Sequence, residues 1–146
     1  MPKQKPLSII SKSAARIAAV QIFYNKIISN KSIKEVYQDY KSSFKCELEN
    51  DFKINSLNEE FLDLLLLGFN NNIDKEIEKL LAIDWKLNRI SAVNKSILFA
   101  GIIELNIKND LTDNIIISEY LEIAEQMGGE VKFINKILDK ISKDLK

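Results

Sequence analysis

Residues 13–24 read Ser13-Ala14-Ala15-Arg16-Ile17-Ala18-Ala19-Val20-Gln21-Ile22-Phe23-Tyr24, and their spacing decides the fold class. The run holds no glycine or proline. Ile17, Val20, Tyr24, Ile27 and Ile28 recur at steps of three and four, the period of one helix face. The spacing predicts an amphipathic helix from about Ser8–Ser13 to about Ser29. Ala14, Ala15, Ala18 and Ala19 are small enough to let a neighbour approach closely. At 100° per residue, Lys12, Arg16 and Lys26 fall within a sector of roughly 80° to one side of the apolar face. The wheel therefore predicts a positive outer edge.

The same period governs the rest of the chain. Ser32 with Glu35 makes a capping box ahead of Ile33, Val36, Tyr37 and Tyr40. The polar, mixed stretch from about Lys45 to Asn55 reads as a loop. Ser56 with Glu59 is a second capping box, opening a helix with Phe61, Leu64, Leu65 and Gly68 on one side. Leu64 to Leu67 is apolar nearly all round, which predicts a central buried element. Periodicity resumes at Ile73, Ile77, Leu80 and Leu81, after Asn70, Asn71 and Asn72. Trp85, Leu87, Arg89 and Ile90 form a further unit, with Trp85 and Arg89 read as a structural pair. Ser91 reads as the N-cap of a helix carrying Val93, Ile97, Leu98, Gly101, Ile102 and Leu105. After a polar loop over Asn109 to Asn114, a helix with Ile116, Tyr120, Ile123, Ala124 and Met127 stops at Gly128-Gly129. Phe133, Ile134, Ile137, Leu138 and Ile141 mark the last helix. Strict alternation is scarce, so the expectation is all-α, about seven helices with short loops. Residues 1–7, with Pro2 and Pro6, read as a flexible basic arm.

Composition excludes several chemistries. The 146 residues are the length of one ordinary domain, and 46% apolar content supplies a core. With no histidine, a Ser-His-Asp triad, a Cys-His pair and His-ligated zinc are all excluded. Cys46 is the single cysteine, so it forms no intrachain disulfide and reads as an inert thiol. Neither standard phosphate-cradling glycine motif is present. The expectation is a protein without metal, cofactor or catalytic residues. No apolar run reaches the length of a membrane span, and no h-region follows the basic start, so cytoplasmic residence is expected.

Charge is balanced in sum and uneven in place. Net charge is formally zero, from 21 basic and 21 acidic residues. Residues 1–34 hold seven of the basic groups (Lys3, Lys5, Lys12, Arg16, Lys26, Lys31 and Lys34) and no carboxylate. The remainder carries 14 basic and 21 acidic groups. A basic end on an acidic body suits a polyanion at one end only, with modest, salt-sensitive affinity.

Four segments together resemble the NusB family. Residues 13–24 are similar to its opening helix, in which basic residues precede an Ala-Val-Gln run. Trp85-Lys86-Leu87-Asn88-Arg89-Ile90, Val93-Asn94-Lys95-Ser96-Ile97-Leu98 and Ile103-Glu104-Leu105 resemble its W-x-L-x-R-L, Ile-Leu-Arg and Tyr-Glu-Leu elements. Ile117-Ser118-Glu119-Tyr120-Leu121-Glu122-Ile123-Ala124 is like Ile-Asn-Glu-x-Val-Glu-Leu-Ala. Lys132-Phe133-Ile134-Asn135-Lys136-Ile137-Leu138-Asp139 is like Lys-Phe-Val-Asn-Gly-Val-Leu-Asp. Departures are Phe99 for Arg, Ser118 for Asn, Ile103 for Tyr and Lys136 for Gly. The N-terminal arm uses Lys where relatives use Arg.

The resemblance implies two small helical bundles in a single NusB-like domain over 1–146. It also implies a transcription antitermination factor. Such a factor binds boxA-type single-stranded RNA of ribosomal transcripts with NusE, a ribosomal protein, and helps RNA polymerase read through terminators. The implied RNA contacts are Lys3, Lys5, Lys12, Arg16, Gln21, Phe23 and Lys95. Arg16 would grip phosphate with two bonds and Phe23 would stack on a base. Glu104, Glu119, Tyr120 and Glu122 are the candidates for the NusE surface. Monomer and homodimer both remain open. The alternative is a helical protein-interaction module with little RNA binding of its own. An RNA-modifying enzyme would need a catalytic α/β domain that these residues do not contain.

Overall fold

The structure is a computed structural model. It describes residues 7–52, 58–69, 73, 75, 79, 90–107 and 111–144, with 7–11 and 43–52 described as backbone. Among these residues there are six helices and no strand. In chain order they are α1 Leu7–Ser29, α2 Ile33–Phe52, α3 Glu59–Leu67, α4 Ala92–Asn106, α5 Asp113–Met127 and α6 Val131–Asp144. None is long and apolar enough to cross a membrane. Ile73, Lys75 and Lys79 are also helical, while Trp85 and Arg89 lie outside the described residues. The chain divides into two compact units, Met1–Leu66 and Leu67–Lys146.

In the first unit α1 and α2 pack as a helical hairpin. Asn30 takes the left-handed conformation, φ 59°, and its N–H donates to the Lys26 carbonyl at 3.0 Å. Asparagine tolerates this conformation better than most residues, which makes it a stop signal. Ser32 Oγ then accepts from the Glu35 N–H at 3.2 Å and starts α2, as the capping pattern predicts. The helix does not end near Lys45. It runs to Phe52, because Lys45 to Phe52 contains polar helix formers and no breaker. The start of α3 also differs from expectation. Asn58 is the cap, its Oδ1 accepting from the Phe61 N–H at 2.9 Å, while Ser56 lies outside the described residues.

The buried face of α1 is not the one that large apolar residues suggested. Ala14, Ala15, Ala18, Ala19, Ile22 and Phe23 are almost fully buried; of the expected face only Val20 is fully buried, whereas Ile17, Tyr24 and Ile27 are half-buried and Ile28 is 57% exposed. On the wheel the two faces lie roughly opposite each other. Alanines win the inner face because their size brings the helix axis close to its neighbours. Leu64 to Leu67 is likewise less central than expected. Leu65 and Leu66 are buried, but Leu64 and Leu67 are exposed.

The second unit is built round α4, which packs on α5 and α6, and those two pack on each other. Every residue from Ser96 to Leu105 is buried, so the element covered on all sides is α4. Ser91 caps it through a 3.1 Å bond from the Asn94 N–H, as its sequence position predicts. Thr112 caps α5, and Gly128 closes it in the left-handed region at φ 76°. Ser142 Oγ on α6 donates to Asp113 Oδ2 at 2.6 Å, joining the last helix to the start of α5. Gly68 is held to zero side chain, since a Cβ there would lie 2.3 Å from Ile103 Cγ2.

Candidate nucleic-acid interface

The basic residues of α1 converge, but inward. Lys12 Nζ lies 5.7 Å from the Phe61 ring centroid and Arg16 Cζ lies 5.4 Å from it. Both cations therefore sit over one aromatic ring from α3, which supplies a negative π face to each. Their shared sector matches the helix-wheel expectation. The expected outer edge does not. Arg16 is only 1% exposed, so its guanidinium is a packing and cation–π group, not a surface phosphate clamp. The sector that holds these cations also holds Phe23, and it faces the interior of the first unit. Lys12, one turn nearer the helix start, is half-buried and keeps an exposed portion.

Phe23 is 0% exposed, which corrects its assignment as a base-stacking ring. Its apolar surface is used by the core. Gln21 is half-buried on α1, and Lys95 is half-buried on α4 in the second unit. Lys3 and Lys5 lie outside the described residues.

Two of the four acidic-surface candidates are core residues. Tyr120 and Glu104 are both 0% exposed, and the Tyr120 hydroxyl donates to Glu104 Oε1 at 2.8 Å. A buried carboxylate is tolerated where donors satisfy it, and this bond joins α4 to α5 from within. Neither side chain is available to a partner protein. Glu119 is half-buried and Glu122 exposed, so these two stay on the surface of α5.

Other polar side chains have structural work that the spacing did not reveal. Asn94 is 4% exposed, and its Oδ1 accepts from the Glu130 N–H at 3.0 Å, across 36 residues of chain. It ties the start of α4 to the turn that leads into α6. The spacing gave no signal for it, since Asn94 is one of several polar residues on α4. On α2 and α3, the Tyr37 hydroxyl donates to Asp63 Oδ1 at 2.7 Å, and Lys41 Nζ stands 4.4 Å from the Tyr37 ring centroid. Burial, then the bond to Asp63 and its negative charge, push the Tyr37 phenol well above its ordinary value. Phe99, where the family segment has Arg, is buried edge-to-face with Phe69, centroids 5.6 Å apart. That position is filled here by an aromatic contact and carries no charge.

The comparisons with known proteins agree with this architecture. The NusB family profile matches residues 13–143. The transcription antitermination protein NusB of Caulobacter vibrioides is 34% identical over 139 residues, covering 91% of this chain and 93% of that protein. The protein of the same name from Mesorhizobium japonicum is 30% identical over 138 residues, covering 90% of this chain and 88% of its own. Among solved structures, NusB of T. maritima superposes with a TM-score of 0.70 at 25% identity, over 97% of this chain and 93% of that one. An all-helical frame among the described residues, with a family profile matched over residues 13–143, leaves one assignment: the chain belongs to the NusB family.

Proposed function

We propose that this chain is a transcription antitermination factor. It binds boxA-type RNA of ribosomal transcripts together with NusE, and so helps RNA polymerase read through terminators in the cytoplasm. The observation that supports this most is the near full-length likeness to proteins named for transcription antitermination. A role without catalysis suits a chain that has no histidine and one cysteine. The phosphate contacts fall to Lys12, Lys3 and Lys5, with Gln21 on the other side of α1 and Lys95 on α4 as separate candidates. Arg16 acts indirectly, by holding α1 against Phe61. Glu119 and Glu122 are the acidic residues offered to NusE.

The test is a polarisation titration of labelled boxA RNA, with and without NusE, at two salt concentrations. Binding that tightens with NusE and weakens with salt supports the reading. No binding to RNA, with NusE still bound, replaces it with a protein-interaction module. The burial of Arg16 favours that second reading, since it withdraws the arginine suited to a two-bond phosphate contact.

A further inference from the structure

The acidic body of the chain carries a basic row on its last helix. Lys132, Lys136, Lys140 and Lys143 lie along α6 at steps of four, four and three, and all four are exposed. At 100° per residue they fall within a sector of roughly 80°. The opposite side of α6 is the buried one, made of Ile134, Ile137, Leu138 and Ile141. Packing on α4 and α5 therefore fixes which way the row faces, and that way is solvent. Lys136 stands where the family segment has Gly, so the middle of the row is a feature of this chain. Among the described residues, the ion pair within the row is Lys143 to Asp139, at 3.0 Å. The other acidic residues at the two ends of α6, Glu130 and Asp144, project outside the lysine sector.

We infer that this face of α6 is a second contact for single-stranded RNA, one that holds the phosphate backbone without reading bases. The inference rests on the RNA-binding reading above. Charge complementarity sets the partner as a polyanion. Successive four-residue steps on a helix are about 6 Å apart, close to the separation of successive phosphates on one strand. Four lysines with no exposed aromatic among them supply neutralisation and no base stacking. A membrane surface would ask for a band of apolar residues along the lysines; α6 exposes Val131 at its first position and half-buries Phe133, while Ile134, Ile137, Leu138 and Ile141 face inward.

The test compares the intact chain with a variant carrying Lys132→Gln, Lys136→Gln and Lys140→Gln. Lys143, already paired, is left alone. The probe is a labelled RNA with boxA followed by an unstructured tail, titrated over a range of salt. The variant is expected to bind about ten-fold more weakly at 0.1 M salt, with the log–log salt slope reduced by about two. The same three positions changed to Arg restore both. Lys12→Gln serves as the arm for the first contact. If the intact chain binds the RNA but the triple variant matches it in affinity and slope, the α6 contact is overturned and the RNA reading stands. If the intact chain binds no RNA, both fall. If the triple variant keeps RNA but loses a polyglutamate peptide, the row is a contact for acidic protein, and the inference is likewise overturned.

Discussion

The Tyr120 hydroxyl and the Glu104 carboxylate meet at 2.8 Å in a position that excludes solvent from both side chains. The pair spans α4 and α5, and Gly101 on α4 makes room beside it for Leu138 of α6. A Cβ at Gly101 would stand 3.0 Å from Leu138 and 3.6 Å from the Tyr120 ring. Tyr120→Phe keeps the ring and removes one donor from a buried carboxylate. It should cost about 1–3 kcal/mol in urea unfolding. NusE affinity, corrected for the folded fraction, should not change, because the pair is internal.

Arg16 and Lys12 share the Phe61 ring but should respond differently to substitution. Arg16→Ala is expected to destabilise the chain by about 2 kcal/mol or more, through lost packing and the lost ring contact. Lys12→Gln should change stability by no more than about 0.5 kcal/mol. It should weaken RNA binding and lower the salt slope. Paired unfolding curves and RNA titrations distinguish the two.

Tyr37 should make the fold lose some stability at alkaline pH. The folded chain holds the phenol proton more tightly than the unfolded chain, whose value is near 10.0. The stabilisation is complete below that pH and drains away as pH rises beyond it. Thermal midpoints measured from pH 8 to 11 should fall above pH 10. The fall should be shallower in Tyr37→Phe, which has no phenol proton to lose.

Gly68 and Ile103 should be coupled. Gly68→Ala places a methyl against Ile103 Cγ2 and should cost about 1–3 kcal/mol. Ile103→Ala removes the opposing atom and carries its own cavity cost. The double variant should be more stable than the sum of the two single effects predicts, and a double-mutant cycle by urea unfolding measures the difference.

Asn94 is expected to behave as a clasp. Asn94→Ala deprives the Glu130 N–H of its 3.0 Å acceptor and should cost about 1–2 kcal/mol. Asn94→Asp keeps an acceptor oxygen and should cost less. Hydrogen exchange at the Glu130 amide should quicken in the first variant and stay close to the parent rate in the second.

Capping chemistry was legible because it is local. Ser32, Ser91 and Gly128 act where their positions in the sequence place them. Core faces were legible only where large apolar residues do the packing, as on α6. On α1 the alanines took the inner face, so the wheel turned the basic sector outward when it faces Phe61. Glu104 looked like a surface residue because a carboxylate is ordinarily solvated, whereas Tyr120 has two readings in the sequence, rightly on the apolar face of its helix and wrongly as a partner contact. What buries them is a mutual bond between two helices, and spacing does not encode that. Asn94 was opaque for the same reason, since its partner lies 36 residues away. The lysines of α6 were visible in the sequence, but their common outward direction depends on where α4 and α5 sit.

The contacts of the two units differ in how much chain must exist before they can form. The α1–α2 hairpin needs only the turn at Asn30, so it can close on a ribosome while the later helices are still unsynthesised. The second unit waits far longer, because Ser142 must emerge before Asp113 finds its donor and α4 gains its last wall. Until then the apolar sides of α4 are open to chaperones or to misassociation. A translational pause before the last helix would lengthen that exposure, and slowing synthesis there should lower the yield of folded protein more than the same pause placed after α2.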